Sequence, residues 1–326
     1  MSIFVPRSPV AVFRPAHKSR PRRRLSPAVI LLGVVGVSGC TTWWNKGPID
    51  EPLLQSRQLT MQATYARDRG DSDKAEELLT AAVNACPEDA DAHFELAELL
   101  WQRQRAVEAL AMFDRALQIS PKDHLLWIRR GELQRELGMH AAARTSADQG
   151  LNLAPDYAPG WLLRARVARG FGNSPEAIHY YQRALGLTPD APETLFELAQ
   201  VQWNLAKRGG PDAKTRLQMA LASTQRLLNI LPTEATSADH FALHGAICGD
   251  LGRFEASLNS WLAAAERAPQ APHILFQLAE AQLRTGNPAD ALRTATHARN
   301  LDPGSPLGRD LMNRIRLATL SGGEIR

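Results

Sequence analysis

Cysteine and aromatic residues are scarce in this sequence. Its 326 residues include three cysteines, Cys40, Cys86 and Cys248, and aromatic residues make up 6% of the chain. Three cysteines are too few for a disulfide framework. The sequence also contains no GxxxxGK[ST] phosphate loop and no complete GxSxG nucleophile elbow, which are the signatures of two large enzyme classes. We therefore predict no catalytic residues, no cofactor and no enzymatic activity.

Acidic residues are absent from the first 49 positions. A basic block between Lys18 and Arg24 precedes an apolar stretch of 13 residues from Pro27 to Gly39. Cations followed by a short apolar stretch are typical of a secretory signal. As a helix, the stretch would reach only about 20 Å, which is too short to span about 30 Å of bilayer hydrocarbon.

The apolar stretch ends at Val37-Ser38-Gly39-Cys40. These four residues resemble the lipobox of bacterial lipoproteins, in which the cysteine is lipidated and the signal is cleaved just before it. The resemblance implies a cleaved lipoprotein signal peptide over residues 1–39 and lipidation at Cys40. The alternative is an ordinary signal peptide in which the cysteine stands by chance.

Residues 40–55 show no periodicity and contain two prolines, so we predict a membrane-tethering linker. Trp43 and Trp44 would then lie close to the lipid anchor. They have two open roles. They could rest at the membrane interface, as tryptophans often do, or they could be only leader residues or pack under the first repeat.

The basic excess of the chain is confined to this leader. The whole sequence has 38 basic and 34 acidic residues, but residues 1–39 hold seven basic residues and no acidic ones. After cleavage the chain would carry 31 basic and 34 acidic residues. A slightly acidic mature protein predicts no nucleic-acid partner, because nucleic-acid binding requires a basic surface.

Prolines recur with a fixed period of 34 residues along the rest of the chain. They stand at Pro87, Pro121, Pro155 and Pro189, and the same spacing separates Pro269 from Pro303. A fixed period of this length indicates a stacked repeat architecture.

Other residues recur in phase with these prolines. One unit carries Trp161, Ala165, Gly172, Ala177, Tyr181, Ala184 and Pro189, and other units repeat parts of this pattern in phase. The unit before it, for example, carries Trp127, Gly131, Gly138, Ala143 and Pro155. This pattern resembles the tetratricopeptide repeat. The resemblance implies an all-α fold, an alpha-alpha superhelix (solenoid) of about seven helix-turn-helix repeats with a C-terminal capping helix. In this register the seven repeats extend from residue 56 to the last proline of the series, at residue 303. Counted in whole periods they cover residues 56–89, 90–123, 124–157, 158–191, 192–234, 235–271 and 272–305. The capping helix and tail cover 304–326.

The residue types at the repeated positions have physical reasons. Small residues such as Ala97, Ala109 and Ala116 allow two helices to cross closely, and Phe113, Tyr181 and Trp261 fill the space between repeats. Glycine tolerates the positive φ that ends a first helix, so we expect positive φ at Gly138, Gly172, Gly252 and Gly286.

Two segments depart from the regular period. Residues 204–215 contain a surplus around Gly209-Gly210-Pro211, which predicts a longer first helix or a loop in the fifth repeat. After the last repeat, Leu307, Leu311, Ile315 and Leu317 stand at roughly helical spacing. A helix with that apolar face would cover the end of the stack.

Metal binding and disulfide bonding are not expected. His240 and His244 share a helix face, but two histidines without a third ligand make a poor metal site, so we predict no metal. Cys86 and Cys248 fall in the first and sixth repeats, too far apart for a bridge that needs Cα atoms within about 7 Å.

In the repeat family, the first helix of each unit lines a concave groove through its second, fifth, ninth and twelfth positions. Here these positions and their flanks supply our groove candidates for partner binding, which are Phe94, Trp101, Ile128, Arg135, Leu162, Arg166, Phe196, Trp203 and Phe276. Exposed aromatic side chains mark interaction sites. The alternative is that the aromatic residues only pack against the next repeat.

These features predict a membrane-anchored, protein-binding scaffold or adaptor of the bacterial cell envelope. Its partner would be a protein or peptide held in the groove, and the lipid anchor would place it on the outer membrane facing the periplasm. Two alternatives remain open. The protein could be a pilotin-like assembly factor of a secretion, pilus or polysaccharide-export system, or a structural lipoprotein that self-associates as a homo-oligomer.

Overall fold

The computed structural model describes residues 50–321 of the chain. The predicted signal peptide, Cys40, Trp43 and Trp44 lie outside the described residues. Within the described part there are fifteen α-helices and no β-strand. Fourteen of the helices form seven antiparallel pairs, and one more helix follows them, so the predicted all-α solenoid with a terminal helix is confirmed.

Apart from the first helix, which has 18 residues, the helices of the first four pairs have 13 or 14 residues each. In chain order the helices are α1 (Glu51–Asp68), α2 (Ser72–Ala85), α3 (Ala90–Gln102), α4 (Ala106–Ile119), α5 (His124–Glu136), α6 (His140–Leu153), α7 (Ala158–Gly170) and α8 (Ser174–Leu187). Because α1 begins at Glu51, residues 51–55 of the predicted linker are helical, which corrects that boundary.

The last three pairs begin with the irregular fifth repeat. They are α9 (Pro192–Lys207) with α10 (Ala213–Ile230), α11 (Ala238–Asp250) with α12 (Phe254–Arg267), and α13 (Pro272–Arg284) with α14 (Pro288–Leu301). A 3-10 turn, Thr233–Ala235, connects α10 to α11. The surplus residues lengthen both helices of the fifth pair, to 16 and 18 residues, whereas α7 and α8 have 13 and 14.

Helix beginnings follow from local chemistry. The side chains of Asp89 and Asp123 accept hydrogen bonds from the backbone N–H groups of Asp91 and Leu125, at 3.2 and 2.8 Å. Such N-caps satisfy donors that have no partner inside the helix. Proline occupies the first turn of α7, α8, α9, α13 and α14, where its missing N–H costs nothing.

The residues expected at the helix crossings are buried as predicted. Ala97, Ala109 and Ala116 are fully buried. Phe113, Tyr181 and Trp261 are also buried, and each belongs to a core cluster between adjacent helix pairs. Because alanine carries only a methyl group, the helices of each pair can approach closely at these positions.

Positive φ ends the first helix of several pairs, as expected. The φ angles of Gly138, Gly172, Gly252 and Gly286 lie between 73° and 79°. The second pair has Gln104 in the corresponding turn, with φ of 64°. This is the only non-glycine residue with positive φ in the described part of the chain, and it marks a strained turn.

The last helix, α15 (Pro306–Ser321), packs against α13 and α14 and covers the end of the stack. Its buried side chains are Leu311, Met312 and Ile315. Leu307 and Leu317 are exposed, at 53% and 66%. The apolar face of α15 is therefore narrower than the sequence spacing suggested.

Contacts between repeats are asymmetric. Odd-numbered helices contact the next odd-numbered helix at α1–α3, α5–α7, α9–α11 and α13–α15, while each even-numbered helix contacts its own partner and the next odd-numbered helix. In a curved stack the more closely spaced helices lie on the inner side. We call the side formed by α3, α5, α7, α9, α11 and α13 the inner surface.

Candidate functional site

The inner surface carries several large apolar side chains that are only partly buried. Phe94 on α3, Leu162 on α7, and Phe196 and Trp203 on α9 all have intermediate exposure. Phe94 packs edge-on against Phe113, with ring centroids 6.0 Å apart. One side of each residue thus contacts the core, and the other remains open to a ligand.

Two groove candidates are core residues instead, which corrects the sequence prediction. Ile128 is 1% exposed and Phe276 is 2% exposed. Neighbouring glycines make room for both side chains. A Cβ added at Gly150 would lie 2.5 Å from Cδ1 of Ile128, and one added at Gly308 of α15 would lie 2.6 Å from Cζ of Phe276. Neither residue is accessible to a partner.

Trp101 also offers little surface, because it is 8% exposed. Its indole Nε1 donates to Glu136 Oε2 at 2.9 Å. The Arg129 guanidinium covers the ring at 4.7 Å from its centroid, a cation–π contact that removes the ring face from solvent. Trp101 thus joins α3 to α5 and holds Arg129 in place.

Ion pairs connect the odd-numbered helices across the inner surface. Arg129 Nε on α5 donates to Glu98 Oε1 on α3 at 2.8 Å. Arg166 on α7 pairs with Glu132 on α5 at 3.3 Å and with Glu197 on α9 at 2.8 Å. Acid and base therefore alternate from α3 to α9. We call these five residues the inner ladder.

Arg166 lies at the centre of the inner ladder and is 8% exposed. Burial opposes its charge, but three carboxylates surround the guanidinium, those of Glu132, Glu193 and Glu197. Tyr181 on α8 donates its hydroxyl to Glu197 Oε2 at 2.6 Å. Burial tends to raise the pKa of Glu197, yet Arg166 outweighs burial and holds that pKa below its ordinary value.

Two arginines of the inner surface have weaker ion pairs. Arg135 Nη2 lies 3.6 Å from Glu136 Oε1, and Arg169 Nη1 lies 3.5 Å from Glu197 Oε2. These distances exceed those of the hydrogen-bonded pairs in the inner ladder. Arg169 is also 40% exposed at its side chain. These two guanidinium groups retain more capacity for an external carboxylate than Arg166 does.

The inner surface differs in its C-terminal half. Trp203 Nε1 donates to Asp250 Oδ2 at 2.7 Å, and Lys207 Nζ lies 4.9 Å from the Trp203 ring centroid. On α11 the fifth, ninth and twelfth positions hold the small residues Ala242, Ala246 and Gly249. The partly exposed aromatic rings on α9 therefore lie next to a part of the inner surface that is formed by small residues of α11.

Glu280 connects the end of the inner surface to the capping helix. It accepts hydrogen bonds from Arg284 on α13 and from Arg314 on α15. Burial tends to raise the pKa of Glu280, but these two arginines hold it below its ordinary value. The contact ties α15 to the stack by charge as well as by apolar burial.

The histidines on α11 are engaged in local contacts. His240 Nδ1 accepts from the Ser237 backbone N–H, and His244 Nδ1 lies 2.8 Å from Ser260 Oγ. Burial lowers the pKa of both histidines. In the part of the chain that the structure describes, no group of three metal-ligating side chains comes together. Cys86 and Cys248 are unbridged, as expected.

An open hollow of about 420 Å³ lies away from the inner surface. Its lining residues are charged or polar, and they are Asp73, Glu76, Glu77, Thr80, Arg103 and Arg105. Arg103 pairs with Asp73 and Glu76, at 2.6 and 2.8 Å. The hollow is thus a surface where charged side chains neutralise one another.

Two of the nine groove candidates, Ile128 and Phe276, are core residues, and two more, Trp101 and Arg166, are buried with partners inside the protein. The other five are partly exposed on the inner surface, and their role in binding remains a prediction; they are Phe94, Arg135, Leu162, Phe196 and Trp203. Sequence reasoning missed Glu197, Arg129 and the hydroxyl of Tyr181 as partners in the inner ladder. A signal for the ladder does exist, because Arg166 lies 34 residues from Glu132 and 31 from Glu197. Opposite charges about one repeat apart face each other across neighbouring first helices.

No helix in the described residues combines the length and apolar character needed to cross a membrane. Cys40, the predicted lipidation site, lies outside the described residues.

Comparison with known proteins identifies the repeat. Three family models described as tetratricopeptide repeat match residues 60–124 and 249–306, residues 100–167, and residues 158–201. Among curated proteins, the chain is 30% identical over 140 residues to Hsc70-interacting protein 1 of Drosophila melanogaster, covering 42% of this chain and 37% of that protein. It is 23% identical over 168 residues to U-box domain-containing protein 70 of Oryza sativa subsp. japonica, covering 50% and 21%. The aligned parts span well under half the length of these relatives.

Solved structures show the same fold at low sequence identity. PilF of Pseudomonas aeruginosa matches with a TM-score of 0.59 at 15% identity, over 71% of this chain and 98% of that one. PilW, a type IV pilus biogenesis factor, matches with a TM-score of 0.57 at 21% identity, over 66% and 94%. Cut9, from the APC/C complex Cut9–Hcn1, matches with a TM-score of 0.58 at 18% identity, over 78% and 48%. Together with the matched repeats and the seven helix pairs, these similarities establish that the chain belongs to the tetratricopeptide repeat family.

Proposed function

We propose that this chain is a membrane-anchored scaffold of the bacterial cell envelope that binds a protein or peptide on its inner surface. Tetratricopeptide repeats form protein-interaction scaffolds, and the repeats occupy nearly all of the described residues.

The observation that carries this proposal is the set of partly exposed apolar side chains on the inner surface. Phe94, Leu162, Phe196 and Trp203 each keep an open side. Large apolar groups that are fixed on one side by the core can enter a ligand interface with little loss of side-chain entropy. Aromatic residues of this kind contribute much of the affinity in protein interfaces.

The inner ladder supports a groove of defined shape. Its arginines and carboxylates link four consecutive odd-numbered helices, α3, α5, α7 and α9. Because the ion pairs are partly buried, moving the helices apart would break them and leave their charges without partners, which is unfavourable. A partner would therefore meet a surface that is already organised.

The anchor is proposed from the sequence around Cys40. The basic block, the short apolar stretch and Val37-Ser38-Gly39-Cys40 all agree with a lipoprotein signal. Two or three acyl chains hold a protein on a bilayer far more firmly than one. Thr41 after the cysteine resembles lipoproteins sorted to the outer membrane, with the repeats in the periplasm.

A capture experiment tests the binding proposal. Tagged full-length protein and the variant Phe94→Ser/Phe196→Ser are used to capture partners from detergent-solubilised envelopes of the encoding bacterium. We expect a defined partner with the wild type and at least a tenfold weaker signal with the variant, whose melting temperature stays within a few degrees. The variant Leu153→Ser/Leu301→Ser, with substitutions on even-numbered helices, serves as the control.

Capture that is equal for the wild type and the inner-surface variant would refute binding at this surface. The anchor is tested separately with Cys40→Ser. We expect the wild type in the membrane fraction and the variant in the soluble fraction. Retention of Cys40→Ser in the membrane would refute the lipid anchor and leave the binding proposal untouched.

The second candidate function is an assembly factor of a pilus or secretion system. The similarity to PilW and PilF supports it, because each is matched over nearly its whole length. Deletion of the gene should then abolish one surface assembly, and restored protein should recover it. Normal assembly in the deletion strain would exclude this specialised role but not a general scaffold.

A third candidate is self-association. Light scattering of the full-length protein in detergent measures its mass as a function of concentration. A dimer or higher oligomer that dissociates in the Phe94→Ser/Phe196→Ser variant would show that the inner surface binds a second copy. A monomer at all concentrations would exclude self-association.

A further inference from the structure

Two consecutive turns near the inner surface expose apolar side chains. They connect α5 to α6 and α7 to α8. Leu137 and Met139 in the first turn are 42% and 44% exposed, and Phe171 in the second is 54% exposed. The corresponding turns of the first, second, fifth and seventh pairs, at residues 69–71, 103–105, 208–212 and 285–287, are polar or glycine-rich. The sixth pair has Leu251 in its turn, where it is partly buried, and Phe254 after the turn, 39% exposed. These apolar side chains are therefore not a general requirement of the repeat.

Phe171 is held in a fixed position by the neighbouring repeat. The His140 ring packs edge-on against it, with ring centroids 5.7 Å apart. His140 also lies over the end of α7, since a Cβ added at Gly170 would be 2.7 Å from its Cε1. One side chain thus bridges the two turns. The exposed apolar groups form one surface rather than two separate loops.

Two incompletely neutralised cations stand beside these turns. Arg135 and Arg169 occupy equivalent positions near the ends of α5 and α7. Their nearest carboxylate contacts are 3.6 and 3.5 Å long. Arg135 Nε is buried and has no hydrogen-bond partner among the described residues. Glu197, the carboxylate near Arg169, already accepts from Arg166 and Tyr181.

Helix stability explains the two arginines of this arrangement but not the exposed apolar side chains. A cation near the end of a helix interacts favourably with the helix dipole, which accounts for arginine at these positions. It does not account for three exposed apolar side chains next to them. Large apolar groups in contact with water are unfavourable, so their place beside two cations indicates an interaction surface.

We infer that Arg135, Leu137, Met139, Arg169 and Phe171, here called the turn patch, bind a partner segment in which acidic residues alternate with large apolar ones. The helices α5 and α7 contact each other, so the two halves of the patch lie about one helix spacing apart, roughly 8–10 Å. Carboxylates two or three residues apart in an extended segment match that spacing.

The inference rests on the proposed function, because it assumes a protein partner, and it adds the chemistry of that partner. An anionic membrane would also attract arginine and apolar side chains. However, the turn patch is confined to two adjacent turns about one helix spacing apart. That size fits a narrow peptide segment better than a flat membrane surface.

The test measures the binding of three labelled octapeptides to full-length protein in neutral detergent by fluorescence anisotropy. The peptides are DLFDELFD, its basic counterpart KLFKKLFK, and the acidic but polar DSSDESSD. We expect the wild type to bind the first peptide at least tenfold more tightly than the other two. The variant Arg135→Glu/Arg169→Glu should reverse the preference between the acidic and the basic apolar peptides.

Three further variants separate charge, apolar contact and folding. Leu137→Ser/Met139→Ser/Phe171→Ser should weaken binding of DLFDELFD at least tenfold. Arg135→Lys/Arg169→Lys should retain most of the binding, which shows that charge is sufficient. Arg299→Glu/Arg309→Glu, with exposed arginines on α14 and α15, should bind like the wild type. Thermal melting of each variant confirms that it is folded.

The inference is overturned if charge reversal at Arg135 and Arg169 leaves peptide preference unchanged. It is also overturned if vesicles containing phosphatidylglycerol bind the wild type through these residues while the acidic peptide does not. If the peptides fail but the wild type still captures a partner from envelopes, the proposed function stands and only the turn patch is refuted. Failure of both experiments refutes both.

Discussion

Arg166 on α7 and Glu197 on α9 form a two-point ion pair between adjacent repeats. Arg166 Nη2 and Nε donate to Glu197 Oε1 at 2.8 and 3.0 Å, and both side chains are largely buried, at 8% and 13% exposure. The same guanidinium reaches back to Glu132 on α5. One arginine therefore connects three consecutive repeats on the inner surface.

Replacing Arg166 with methionine should lower the free energy of unfolding by about 3–5 kcal/mol, because removal of one partner leaves buried carboxylates without a cation. Urea unfolding followed by circular dichroism measures the loss. The double variant Arg166→Met/Glu197→Gln should recover part of it, since one of the uncompensated charges is then absent. Purely additive losses in the double variant would contradict the coupling.

The Arg166–Glu197 pair also predicts how stability depends on pH. Because Arg166 holds the pKa of Glu197 below its ordinary value in the folded state, the unfolded state binds a proton more readily. Stability from this pair is therefore present at neutral pH and is lost as the pH falls below about 4.

The Arg166→Met variant provides the control for this pH dependence. Without the cation, burial raises the pKa of Glu197, so the loss of stability upon acidification should be smaller in the variant than in the wild type. The measurement is the free energy of unfolding between pH 3 and pH 7 for both proteins. Parallel curves would show that the pair does not govern the acid sensitivity.

Phe276 and Phe94 occupy equivalent positions but should respond differently to truncation. Phe276 is 2% exposed and lies under α15, so Phe276→Ala should cost about 3–5 kcal/mol. Phe94 has one open side, and Phe94→Ala should cost clearly less. Urea unfolding of the two variants gives the comparison. Equal losses would mean that Phe94 is a core residue and would weaken its proposed role in binding.

The turn after α3 offers a stabilising substitution. Gln104 adopts a φ of 64°, in the left-handed region where Gly138 and Gly172 stand in the next two repeats. Gln104→Gly should raise the free energy of unfolding by up to about 1 kcal/mol, because glycine avoids the steric cost of that conformation. The reciprocal change Gly138→Gln should lower stability by a similar amount. Thermal melting measures both changes. A Gln104→Gly protein that is less stable than the wild type would contradict the claim that the backbone at Gln104 is strained.

The repeat architecture was accessible from the sequence because its signals recur in phase. Prolines 34 residues apart, alanines at the helix crossings and glycines in the turns predict the helix pairs, and Ala97 and Gly138 behave as expected. Each of these signals is local to one repeat. The exact start of α1 at Glu51 was missed because Pro52 looked like part of a linker, whereas proline is well suited to the first turn of a helix.

The inner surface was harder to predict because its residues depend on neighbours in other helices. Ile128 is buried in the core where Gly150 and Gly160 leave space for it, whereas Phe94 at the same repeat position is partly exposed. Burial of the fifth position is thus decided by side-chain volumes on other helices. The pairing of Arg166 with Glu197 likewise depends on how adjacent first helices align, which a single repeat does not reveal.

The central claim is that a protein partner binds the inner surface, and photo-crosslinking in living cells tests it most directly. A photoreactive amino acid replaces Phe94 or Phe196 on the inner surface, and Leu153 or Leu301 on even-numbered helices as controls. The account predicts a discrete crosslinked partner from positions 94 and 196 and none from positions 153 and 301. Crosslinks that form only from positions 153 and 301 would contradict it.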